Sequence, residues 1–368
     1  MRACAALYVA LGHCYMTIWP IVFQVVDGGL SGSFTIWSMY GHFAVTVFIV
    51  ISGFCLMLPV TRTADRIQGG AIEFFIRRAI RILIPYYASM LFALILIWTV
   101  IGEKTGTIWD IAVPVTQETF VKCLLLVQNI LGVSQVNPVY WSIAVEWQIY
   151  FFFPLLVLLR RWIGMPLAAL AYLGAGYLLH FNTIGMVHEA ASFHYLGMFA
   201  LGALGADLVA SKHRLVVRIR RTFPWGRAAA FGFLYFVAHL QAEQWYGVFP
   251  RFAQIDLVVG LTTTCALMAA ATKDSPLRRC LSWKPLVSVG HFSYSLYLVH
   301  MPLIQVVYLL AVRPFGLTKE LEFPLLALLA LPVSVGVAYL FYRGVEMPSL
   351  AWLRRRRALP KAPREARA

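Results

Sequence analysis

The chain has 368 residues, of which 60% are hydrophobic and only 13% charged, and its mean hydropathy is +0.74. Soluble domains carry about a quarter charged residues, so this composition excludes an ordinary soluble protein, and apolar runs recurring along the whole length indicate a polytopic membrane protein. The net charge of +15 is then a matter of topology, since Lys and Arg collect in cytoplasmic loops, and it gives no warrant for nucleic-acid binding.

In chain order the apolar runs predict an all-α transmembrane bundle of about ten spans, roughly 3–25, 35–60, 82–102, 143–162, 163–181, 193–211, 226–242, 252–271, 291–313 and 324–345. An interfacial helix is expected near 117–131, between the third and fourth spans. Residues 1–353 form the membrane domain and 354–368 a basic tail expected to be disordered. Of the 31 Lys and Arg residues, all but Lys104, Lys122, Arg251, Arg313 and Lys319 fall on one side of this topology, which predicts that both termini are cytoplasmic. The six cysteines form no C-x-x-C pair, so neither a disulfide framework nor a metal site is expected. No internal repeat is visible, and a small-residue leader cleavage site is lacking.

The first span carries Arg2 at its start and His13 in its middle. Eleven residues of helix cover about 16 Å and close to three turns, so both side chains leave the same face. In a hydrocarbon layer of about 30 Å, His13 sits near the midplane. An ionisable group at that depth marks a functional site unless it merely bonds a neighbouring helix. Glu146 is expected one turn into the fourth span, near the outer surface. Arg77, Arg78 and Arg81 gather at the inner end of the third span; singly they read as lipid anchors, but Arg78 and Arg81 share a face and together suit a phosphate. His300 is a second mid-span histidine, with Ser293, Tyr294 and Ser295 nearby. From the residues alone, a buried His and Glu facing a basic mouth fit acyl or phosphoryl transfer, and equally an anion or proton-coupled transporter or flippase.

The motifs go further. Arg2-x10-His13, the segment Phe48 to Phe54 with Ser52-Gly-Phe54, Arg78-Ala-Ile-Arg81, Trp141-Ser142-Ile-Ala-Val-Glu146 with Tyr150, the stretch Phe292 to Pro302 and Val345-Glu-Met-Pro348 occur in that order. Together they resemble the acyltransferase-3 family of integral-membrane O-acyltransferases over nearly the whole chain. The sequence departs from the family in having Arg2 directly after Met1, and Trp147 where a second acidic residue is common. The resemblance implies a transmembrane-only member that moves an acyl group, commonly acetyl, from cytoplasmic acyl-CoA to a hydroxyl of a sugar or other small molecule, in a bacterial cytoplasmic membrane. It implies Arg2, Arg78 and Arg81 as coenzyme-binding residues and His13 as general base, with Glu146 orienting the site from the outer side. Ser142, Tyr150, Tyr294 and His300 are expected to bind the acceptor. A covalent acyl-histidine is the second route, and no metal is implied.

Overall fold

The computed structural model describes residues 1–20, 36–63, 66–132, 135–183, 191–248, 252–272 and 274–358. Among these the secondary structure is helical, without strands. The principal helices are α1 (Arg2–Ile18), α2 (Phe43–Thr61), α3 (Gly70–Leu96), α4 (Tyr140–Ile163), α5 (Met165–Asn182), α6 (Tyr195–Ala210), α7 (Trp225–Val248), α8 (Phe252–Thr272), α9 (Ser293–Val307) and α10 (Lys319–Phe341). Each predicted span overlaps one of them, and residues 21–25 of the first span and 35 of the second lie outside the described residues. Among the described residues, six stretches are able by length and composition to cross a membrane: Trp37–Thr61, Gly70–Ile101, Tyr140–Ile163, Phe252–Thr272, Ser293–Phe315 and Lys319–Leu353. A helix apolar on every side, such as α2, has no face suited to water. The molecule is an all-α membrane helix bundle.

Three details differ from the sequence expectation. First, α3 begins at Gly70 rather than near residue 82, because Gly69 and Gly70 take positive φ and leave a helical start there. Second, the connection near 117–131 is two short helices, Gln117–Leu125 and Gln128–Leu131; Leu126, at φ 54°, breaks them apart. Third, the last helix, Met347–Ala358, carries the start of the basic tail, and the rest of that tail lies outside the described residues.

Close packing is obtained with glycine. A Cβ on Gly53 of α2 would stand 2.0 Å from the Phe199 carbonyl oxygen, and one on Gly202 of α6 would stand 1.9 Å from that of Val50. The two backbones therefore touch, as small residues permit inside a bilayer. This crossing sets the depth of Ser52, the residue before Gly53. The first helix packs on α2, α9 and α10.

Candidate active site

A cavity of about 230 Å³ opens among α1, α2, α3, α4 and α9. Arg2 of α1 and Arg78 and Arg81 of α3 line it, so three cations from two helices meet as the sequence suggests. The Arg78 guanidinium carbon lies 5.8 Å from the Phe74 ring and 5.9 Å from the Tyr150 ring, within cation–π range. Its Nε is buried and has no hydrogen-bond partner. A buried N–H left unpaired is costly, and an anion would offset that cost with a charge-assisted bond. Glu346, buried where α10 ends in a π-turn, accepts a bond from Ser295 Oγ at 2.6 Å and feels the charges of Arg81 and Arg2.

Glu146 lines the same cavity. One of its oxygens, Oε1, accepts from Ser52 Oγ at 2.9 Å and also from the Tyr150 hydroxyl, while Ser52 Oγ and the Tyr150 hydroxyl are 2.8 Å apart. Glu146, expected near the outer surface, thus shares one cavity with the arginines. The reason lies in α3: its start at Gly70 puts Arg78 about 12 Å inside the helix and beside Tyr150, one turn from Glu146. Ser142 and Tyr294 also line the cavity. The Tyr294 hydroxyl donates to the Ile82 carbonyl at 3.1 Å, and Ser142 Oγ lies 2.5 Å from the Tyr297 hydroxyl.

His13 and His300 stand apart from the cavity wall. They form a pair, with His13 Nδ1 2.9 Å from His300 Nε2. His300 Nδ1 is 3.1 Å from the Leu296 carbonyl oxygen, which only accepts, so this nitrogen carries the proton. His300 Nε2 is then the acceptor, and His13 must donate from Nδ1. That chain leaves His13 Nε2 with its lone pair free, the tautomer a general base requires. His300, expected to contact the acceptor, is bonded to His13 and is not among the residues lining this cavity. Tyr297 connects the two regions: it lines the cavity and its ring centroid is 5.7 Å from that of His300.

Sequence reading placed Tyr297, Ser52 and Glu346 in motifs but gave none of them a role at the site. The signal for Tyr297 was its place three residues before His300 on one helix face. A second buried network around Asp256 was also missed; its signal was a carboxylate inside an apolar span. Among the described residues, no group of three or more His, Cys, Asp or Glu is placed to hold a metal ion.

The profile of the acyltransferase-3 family, described as an acyltransferase domain, matches residues 1–343. The chain belongs to the acyltransferase-3 family. Acyltransferase MdmB of Streptomyces mycarofaciens is 27% identical over 345 residues, covering 88% of this chain and 84% of the relative. A putative peptidoglycan O-acetyltransferase, YrhL of Bacillus subtilis (strain 168), is 24% identical over 293 residues, or 73% of this chain and 45% of the relative. No solved structure matches. This acyltransferase is an enzyme of the membrane O-acyltransferase type, and the transporter reading left open by the residues gives way to family membership.

Proposed function

We propose that the acyltransferase moves an acyl group, acetyl in the simplest case, from cytoplasmic acyl-CoA to a hydroxyl of a sugar or other small-molecule acceptor. The observation that carries this reading is the cavity in which Arg2, Arg78 and Arg81 converge while Arg78 Nε lacks a partner. Coenzyme phosphates satisfy such donors, and the arginine end faces the compartment that holds the coenzyme, with both termini cytoplasmic. Arg2 and His13 are separated by about 16 Å along α1, and the pantetheine arm follows that helix past Tyr297 to the histidine pair.

In this reading His13 Nε2 accepts the proton of the acceptor hydroxyl as its oxygen attacks the thioester carbonyl. The carbon–sulfur bond breaks, and the same proton passes from His13 to the coenzyme thiolate, so no net proton is released. His300 holds the His13 tautomer. Glu146, with Ser52 and Tyr150, sets the charge of the wall beside Arg78. The membrane is the bacterial cytoplasmic membrane, as expected for the family. Substituting His13→Ala in the purified protein should reduce transfer from radiolabelled acetyl-CoA by about 100- to 10,000-fold, the range of a general base, at near-normal protein abundance. Retained transfer would sink the assignment.

A further inference from the structure

A second polar network lies beyond the arginine cavity. Thr46 on α2 is six residues, about 9 Å, farther from the arginines than Ser52. Its hydroxyl donates to Asp256 Oδ1 of α8. Asp256 is fully buried, and its Oδ2 lies 2.9 Å from His194 Nε2 and 3.6 Å from His42 Nε2. The Tyr195 hydroxyl is 3.2 Å from His42 Nε2. His194 Nδ1 is buried and unpartnered. The His42 ring is sandwiched: Trp141 stacks at 5.4 Å and 9°, Phe252 at 4.5 Å and 14°. With both faces covered and Nε2 turned inward, the open edge of the imidazole is the one bearing Nδ1. The His42 side chain is 25% exposed, against 0% for Asp256 and 4% for His194; the network meets its surroundings at His42 and at half-buried His180, whose ring packs edge-on to that of His194 at 4.6 Å.

Its placement ties it to the reaction. A Cβ on Gly12 would stand 2.7 Å from the Ser38 carbonyl oxygen, and one on Gly41 would stand 3.5 Å from Gly12 Cα. The backbones meet there, which sets His13 and His42, the next residue on each segment, at one level. Adjacent residues of α4 join the two sides: Trp141 stacks on His42, while Ser142 bonds Tyr297, which packs on His300. The network contains no Lys or Arg among the described residues, in contrast to the cavity, so it suits a neutral partner.

We propose that His42 is the acceptor-binding residue. Its open Nδ1 edge takes a hydrogen bond from one hydroxyl of a saccharide and turns a neighbouring hydroxyl toward His13; Asp256 and Tyr195 act through it as positioning residues. This rests on the transferase reading above.

The test uses the purified full chain, acetyl-CoA and a β-1,4-linked tetrasaccharide of N-acetylglucosamine. His42→Gln retains an amide near the Nε2 position, and His42→Asn retains one near Nδ1. His42→Gln should raise the KM for the tetrasaccharide about tenfold, the scale of one lost hydrogen bond, with the KM for acetyl-CoA and its acceptor-free hydrolysis unchanged. His42→Asn should restore much of the acceptor KM, and Asp256→Asn should raise it less than His42→Gln does. A network that is only structural reverses the Asn and Gln order, or lowers donor and acceptor parameters together; either result overturns the proposal. If the unaltered enzyme hydrolyses acetyl-CoA but acylates no tetrasaccharide, the saccharide assignment fails and the donor reading stands. If it neither binds nor turns over acetyl-CoA, the transferase reading itself fails.

Discussion

Arg78 and His13 have opposite needs. A guanidinium beside Phe74 and Tyr150, with Nε unpaired, is incomplete until an anion arrives. His13, held through Nδ1 by His300, is complete on one side and open on the other. Lysine in place of Arg78 keeps the charge but loses the planar fork and the Nε donor. Arg78→Lys should therefore raise the KM for acetyl-CoA about tenfold, one strong contact's worth, while leaving kcat nearly intact. Acetyl-pantetheine, which lacks the nucleotide phosphates, should be used equally well by both proteins; a parallel loss with both donors would contradict phosphate recognition by Arg78. The Arg2 and His13 spacing was legible because one helix carries both. Asp256 and His42 were not, because each lies in a largely apolar stretch and the two are far apart along the chain.

At the scale of elements, the loop after α3 shows how a connection is fastened to the bundle. Thr107 Oγ1 donates to Gln305 Oε1 of α9 at 2.8 Å, and Arg313 Nη1 donates to the Thr105 carbonyl at 3.2 Å. Asp110 organises the turn, accepting from Thr105 N at 2.7 Å, Thr105 Oγ1 at 2.6 Å and Gly106 N at 2.9 Å. Burial pushes its pKa up, but those three donors and the charge of Lys104 outweigh it and hold the carboxyl below its ordinary 3.8. A carboxyl depressed on folding stabilises the fold fully above its unfolded value and loses that contribution as pH falls through the folded value. The melting temperature in detergent should thus decline on acidification from about pH 5 to below pH 4. Asp110→Asn should start lower at neutral pH and show a shallower decline; an unchanged pH profile would remove Asp110 as the cause. The short helix Arg214–Thr222 illustrates another element-scale rule. It exposes Leu215 and Ile219 among arginines, the pattern of a helix lying in a membrane interface, while Arg220 Nη1 donates to the carbonyls of Leu208 and Val209 at the end of α6 and to that of Ser211 just beyond it.

For the whole molecule, charge and hydropathy decide orientation. The +15 net charge is a topological record, and it predicts that the segment between α8 and α9, with Arg278, Arg279 and Lys284, is cytoplasmic. Cys280 sits exposed on that segment. In sealed right-side-out vesicles an impermeant maleimide should leave Cys280 unmodified until the membrane is permeabilised, read by site-resolved mass spectrometry. Labelling of intact vesicles would invert the topology and remove the arginine cavity from the coenzyme's compartment.

Composition and periodicity were enough, by themselves, to determine an all-α membrane bundle, and they predict the side on which its cations lie and a face shared by Arg2 and His13. These are properties of single helices in an apolar solvent, where length, pitch and charge are local. Tertiary structure alone decided that Glu146 shares a cavity with the arginines, that His300 bonds His13, and that His42 meets Asp256. Lipid is as apolar as the side chains it touches, so hydropathy carries no record of which helix neighbours which. That information resides in backbone contacts such as Gly53 with Phe199 and Gly12 with Gly41, where the missing Cβ atoms let distant parts of the chain meet at a fixed level.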